Sequence, residues 1–295
     1  MGAPQRLLLA TDLSCRCDRA LDRAALLAAE WHAHLTVVHA MPADAASNAD
    51  QGIPVPAWRR TDPRILAERR VRADIGDVVP QPAVVIGTGE PIDAILAAAS
   101  ANDCDLIVTG LARDEPLGRL VLGSTVDKLM RRSPVPILVV RNRARAPYRR
   151  IAVATDFSQP SRETLEAAMG AFPEAQFDLV HAYDAPMSGL ASDQKTYRAE
   201  FRAMAEEDAA AFLASYEEAF PQRARPRLVL RRGDPGHELS TYADEEDIEL
   251  VVMSTQKRSA LMDALIGSLA AELIRIVPCD VLVMRGEPRW GVATS

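Results

Sequence analysis

Two aspartates stand where apolar runs stop, Asp12 in LLLATDLS and Asp156 in IAVATDFS. A carboxylate at the end of a strand either caps the following helix, by accepting its free N–H groups, or faces a ligand. Gly123-Ser124-Thr125 and Gly267-Ser268 each open a helical pattern. A glycine there lets the backbone approach an anion with no Cβ in the way. Free N–H groups and the helix dipole then favour the negative charge. The plainer reading is an ordinary loop from strand to helix. Lys257-Arg258 is a second pair suited to an anion. Cys15-x-Cys17 falls in the first turn of a helix, where thiol pKa values can drop, but without a second cysteine pair it is not read as a metal site. His39 and His181 end strands and read as hydrogen-bonded histidines, whereas His32 and His34 read as surface residues. The runs Glu206-Glu207-Asp208 and Asp244-Glu245-Glu246-Asp247 read as solvated faces. No positioned nucleophile and base can be picked out, so a binding protein is expected rather than an enzyme.

The elements that must position these residues occur twice. Asp12 pairs with Asp156 at an offset of 144 residues. The same offset carries Gly89-Glu90-Pro91 onto Gly233-Asp234-Pro235, DLIVTG onto ELVVMS, and Leu122-Gly123-Ser124 onto Ile266-Gly267-Ser268. Only the second strand slips, with His39 against His181. A register held over most of a domain marks an internal repeat. Two domains are expected, 1–144 and 145–295, joined by the polar stretch 141–149.

Near-continuous apolar runs alternate with helical patterns in each copy, which predicts strands buried on both faces of a parallel sheet. In the first copy the strands are expected at 6–11, 34–40, 83–87, 105–110 and 136–141. Ser14 is the expected cap of the first helix, and Pro91 and Pro235 are expected to start helices. Residues 42–62 and 184–193 read as loops, the second leading into a long helix near 194–220. The fold class is therefore α/β, two tandem doubly wound domains of five parallel strands and four helices each, Rossmann-like in type. The fifth strands would be exposed apolar edges, so the two domains are expected to pair through them.

Composition narrows the partners. The chain has 295 residues and a formal charge of −7. Residues 1–144 hold 17 basic and 17 acidic residues; residues 145–295 hold 17 and 24. No basic stripe or tail is present, which argues against nucleic acid. No apolar run approaches the roughly 20 residues of a membrane helix, and the amino-terminal run is too short for a signal-peptide core. The expectation is a cytoplasmic protein with reduced cysteines.

A first strand ending Ala-Thr-Asp-Leu-Ser, a second ending Val-Val-His-Ala and a fourth ending in glycine resemble the universal stress protein family. That family's most specific mark follows the fourth strand: Gly, two residues, Gly, nine residues, Gly, then Ser or Thr. The resemblance covers nearly the whole chain twice and implies a strand order of 3-2-1-4-5. It also implies pairing of the two copies, with a homodimer as a further possibility. Nucleotide-binding members hold ATP or a related nucleotide, with magnesium a candidate companion, where the first and fourth strands part. The resemblance places Thr11 and Asp12 near the sugar or base, the Ala40 backbone against the base, and Gly110, Gly123, Ser124 and Thr125 near the phosphates. Arg113 stands where the middle glycine belongs. It either fills the space that glycine leaves open or reaches the phosphates as a two-pronged donor.

The second copy departs further. Ser254 and Lys257 replace the first two glycines, and Asp156, Ala182, Gly267 and Ser268 remain as the elements of a second, degenerate site. The expectation is a stress-response protein that binds one adenine nucleotide in domain 1 as a sensor or regulator. The alternatives are a scaffold without nucleotide and a slow ATP hydrolase.

Overall fold

The computed structural model describes residues 2–14, 17–43, 62–111, 123–184, 193–255, 266–285 and 290. Two units separate by their internal contacts, one of them Ala3–Pro147 and the other holding Tyr148–Ser295. In the first, the order is β1 (Arg6–Thr11), α1 (Asp18–Trp31), β2 (His34–Met41), α2 (Pro63–Ile75), β3 (Ala83–Thr88), α3 (Pro91–Ala101), β4 (Leu106–Gly110), α4 (Ser124–Arg132) and β5 (Ile137–Val140). In the second it is β6 (Arg150–Ala154), α5 (Gln159–Ala171), β7 (Gln176–Tyr183), α6 (Gln194–Ala219), β8 (Arg227–Arg232), α7 (Pro235–Glu245), β9 (Leu250–Ser254), α8 (Ile266–Ile276) and β10 (Asp280–Met284).

All the strand pairs within each unit are parallel. The first unit runs β3-β2-β1-β4-β5, and the second repeats this order as β8-β7-β6-β9-β10. Strand boundaries fall within one residue of those expected from the sequence, the usual scatter at element ends. The expected loops at 42–62 and 184–193 lie mostly outside the described residues.

The apolar runs explain the sheets. Leu7, Leu8 and Leu9 are all buried although their side chains alternate between faces, because helices cover both sides. Each such side chain stabilises the fold by about 1.5–3 kcal/mol. Helix α1 buries Ala20, Leu21, Ala24, Leu27, Ala28 and Trp31, one stripe at helical spacing. Proline at the first position starts α3 and α7, where its missing N–H costs nothing. A carboxylate repeats at the foot of each central strand. Asp105 accepts the N–H groups of Gln5 and Arg6, and Glu249 those of Arg149 and Arg150.

The expected cap of α1 is corrected. The capping position is Cys17, in a helical conformation and with no capping side-chain bond. Ser14 contributes its carbonyl oxygen, which accepts the Cys17 N–H at 2.8 Å. Ser14 thus belongs to the turn before the helix. Two arginines of α1 hold the stretch that leaves β5. Arg19 donates to the Arg141 carbonyl at 2.7 Å, and the buried Arg23 donates to the Ala146 carbonyl at 2.9 Å.

Candidate functional site

Strand β1 lies between β2 and β4, so the chain leaves it toward one side of the sheet and later returns to the other. Connections diverge at such a point and leave a crevice beyond the carboxyl ends of the strands. A cleft of about 280 Å³ lies there. Its polar lining comes from Thr11, Asp12, Thr109, Ser124 and Thr125, and its apolar lining includes Val38, Ile95, Leu111 and Val126.

The turn that presents Asp12 is built by local hydrogen bonds. The Thr11 hydroxyl oxygen accepts the Leu13 N–H at 3.0 Å, and Asp12 Oδ1 accepts the Ser14 N–H at 2.9 Å. Leu13 adopts the left-handed conformation, φ 61°, which closes this turn. That conformation is uncommon outside glycine and asparagine and is held here by the flanking bonds. The Cys17 thiol also donates to Asp12 Oδ1, at 3.1 Å. Partial burial pushes the Asp12 carboxyl up, but the bonds from Ser14 and Cys17 outweigh it and hold it below its ordinary range. Burial, reinforced by the negative Asp12, pushes the Cys17 thiol up to about 11. The pair is therefore a carboxylate with a neutral thiol at physiological pH.

Helix α4 aims its amino end at the cleft. Its cap is Gly123, which has no side chain to occupy the first free N–H groups. Those groups, on a helix start lining a cavity, can meet an anion. His39 Nδ1 donates to the Thr11 carbonyl oxygen at 3.0 Å, and His181 Nδ1 donates to that of Thr155 at 2.8 Å. With the carbonyl as the acceptor, the ring nitrogen carries the proton, and these histidines are framework.

Seven of the residues singled out in the first copy, Thr11, Asp12, Ala40, Gly110, Gly123, Ser124 and Thr125, line this one cleft. Arg113 lies outside the described residues. Sequence reasoning did not single out Cys17, Val38, Pro91, Ile95, Thr109, Leu111 or Val126 as lining. The apolar members are indistinguishable in sequence from core residues, whereas the polar Thr109 at the end of the apolar run of β4, next to Gly110, was a usable signal.

In the second copy, Asp156 ends β6 in the same turn, with Phe157 at φ 60° and Thr155 accepting its N–H at 2.9 Å. Its neighbours differ. The hydroxyls of Ser158 and Ser161 both donate to Asp156 Oδ1. Burial raises this carboxyl and those two serines more than reverse the effect. Phe157 stacks on His181 with ring centroids 4.4 Å apart and meets Phe212 of α6 at 5.7 Å. Ala182 lies in β7, and Gly267 and Ser268 lie in the first turn of α8. Lys257 is outside the described residues. The acidic run 244–247 keeps Asp244, Glu245 and Asp247 exposed, as expected of a solvated face, and adds ion pairs of Glu245 with Arg231 and of the half-buried Glu246 with Arg150 and Arg227.

The sequence pattern of the universal stress protein family matches twice, over residues 4–141 and 147–285. A universal stress protein of Mycobacterium tuberculosis is 26% identical over 290 residues, spanning 89% of this chain and 93% of its own. One of Thermus aquaticus is 34% identical over 147 residues, which are 46% of this chain and 97% of its own. Among solved structures, a functionally unknown protein from Pseudomonas aeruginosa is similar with a TM-score of 0.65 at 20% identity, covering 97% of this chain and 94% of its own. A universal stress protein from Archaeoglobus fulgidus reaches 0.61 at 17% identity, with 97% of each chain covered. These two likenesses show the fold, and no described helix is long and apolar enough to cross a membrane. With the family pattern matched over nearly its whole length, the chain belongs to the universal stress protein family.

Proposed function

We propose that the first unit binds an adenine nucleotide, ATP, and that the chain serves the stress response as a nucleotide-dependent sensor or regulator. The observation that carries this reading is the cleft between the ends of β1 and β4, which joins an apolar wall to Asp12 and to the uncapped amino end of α4. Its volume is close to the lower end of small-molecule pockets, about 300–1,000 Å³. A nucleoside occupies such a space, with its phosphates at the Gly123–Thr125 amides and magnesium carried by the phosphates. The Asp12 carboxylate accepts ribose hydroxyls. Asp12 is also exposed on one side, so a ligand can reach it.

The second unit is the poorer host. Its Asp156 is already engaged by two serine hydroxyls, Ser254 replaces Gly110, and its half of the sequence carries the net negative charge. An anion therefore meets a less favourable field there. Calorimetric titration of ATP decides the matter. One nucleotide is expected per chain. Gly123→Val should abolish binding by placing a branched side chain where phosphate approaches, and Gly267→Val should leave it unchanged. The opposite pattern would move the site to the second unit. No heat at about millimolar ATP, an affinity near −4 kcal/mol, would favour an interaction scaffold instead.

A further inference from the structure

The second unit holds a cavity of about 700 Å³ at the amino ends of its strands, the opposite edge of the sheet from Asp156. It lies between the carboxyl end of α5 and the loop that follows α6, above the starts of β6, β7 and β8. Its described lining contains four arginines, Arg150, Arg223, Arg225 and Arg227, against one carboxylate, Asp178. Two carboxylates outside the lining also reach these arginines, Glu246 pairing with Arg150 and Arg227 and Glu217 with Arg225.

The repeat shows that the fold does not require this cluster. Asp178 faces Arg227 in the β7–β8 register, where the first unit pairs Thr36 with Ala83. Asp178 is buried and takes the Arg227 guanidinium through both oxygens, at 2.9 and 3.0 Å. The Tyr242 hydroxyl donates to the same carboxylate at 2.9 Å, and burial together with that bond pushes the phenol up to about 12. Glu246 accepts from Arg227 at 3.0 Å and from Arg150 at 2.8 Å. These bonds fix two guanidinium groups as a rigid back wall.

The remaining two arginines stand on the loop. Arg223 lies over the Phe220 ring at 5.0 Å and is hydrogen-bonded to the Tyr216 side chain, which leaves other N–H groups of its guanidinium for a ligand, and Arg225 makes an exposed pair with Glu217. An exposed pair of that kind is worth little, so Arg225 can turn to a ligand at small cost. Met169, Gly170 and Phe177 supply an apolar floor.

We propose that this cavity binds a small organic oxyanion, gripped by the Arg223 and Arg225 guanidiniums with its apolar body on that floor. Planar guanidinium groups match two coplanar oxygens of a carboxylate or phosphate better than an ammonium does. The site is separate from the nucleotide cleft and does not depend on it.

Calorimetric titration of the full chain with phenyl phosphate and with benzoate tests the proposal and distinguishes the two anions. At least one should bind saturably, with a dissociation constant below about 1 mM. Arg225→Gln, a change at an exposed position that leaves the fold intact, should weaken binding about tenfold. Arg223→Lys, which keeps the charge but loses the planar fork, should also weaken it. Arg64→Gln, on the exposed surface of the first unit, removes the same net charge and should have no effect. Absence of saturable heat with both probes up to about 10 mM would overturn the proposal. So would equal losses in Arg225→Gln and Arg64→Gln, which would reduce the effect to net charge.

Discussion

Asp12 and Asp156 occupy the same place in the repeat but keep different company. Asp12 is served by a backbone N–H and a thiol, Asp156 by two hydroxyls and a backbone N–H. The thiol has a chemical consequence. A cysteine normally titrates near 9, and Cys17 is pushed up to about 11 by burial and by the neighbouring carboxylate. The folded chain therefore holds the proton more tightly than the unfolded chain. Its contribution to stability is complete below about pH 9 and is lost as pH rises through about 11. At pH 8 the thiolate fraction should be about a hundredfold lower than in the unfolded chain. Iodoacetamide labelling followed by peptide mass spectrometry should find Cys17 nearly inert at that pH, with the rate climbing until about pH 11. Labelling at the unfolded rate would refute this placement. The sequence did mark Cys17, but for the opposite reason: a helix start usually lowers a thiol. What the spacing could not show is that Asp12, five residues away, folds back onto the sulfur.

At the scale of elements, the two copies use the same packing position in different ways. Gly87 in β3 faces Ala94 in α3 so closely that a Cβ on the glycine would lie 2.5 Å from the alanine Cβ. The equivalent pair in the second unit is Arg231 and Glu238, joined by an ion pair of 3.0 Å. Because α3 supplies Pro91 and Ile95 to the cleft, the Gly87 contact sets how near that helix stands. Gly87→Ala should destabilise the first unit by about 1–3 kcal/mol, the usual cost of overpacking. Adding Ala94→Gly should recover part of that loss. Chemical denaturation of the two variants measures both, and a neutral Gly87→Ala would mean that α3 moves freely. The element types and the strand order were readable from apolar runs, turn residues and the 144-residue offset, because those are local or periodic signals. The Asp178–Arg227–Tyr242–Glu246 network was not readable. Its members are 64 residues apart at the widest named bond: the β7–β8 register brings Asp178 to Arg227, and α7 brings Tyr242 and Glu246. One clue was present: an aspartate in the middle of the apolar run QFDLVHA demands a partner.

At the scale of the whole molecule, the polar stretch 141–149 joins the two repeats. Arg141, Arg143 and Arg145 make it rich in the residues after which trypsin cuts. A protease needs several residues of backbone to detach and extend in its active site, so cleavage reports local opening rather than sequence alone. Here the carbonyls of Arg141 and Ala146 are held by Arg19 and Arg23 of α1, at either side of those bonds. The native stretch should therefore resist trypsin despite its composition. The double variant Arg19→Ala/Arg23→Ala removes both of these bonds and should be cut between the repeats several-fold faster, releasing fragments that end at Arg143 or Arg145. A wild-type chain cut there at once would show that α1 does not guard the passage. If it does guard it, the two halves of the protein reach the degradation machinery of a cell as one piece, and a change confined to α1 would be enough to let them be turned over separately.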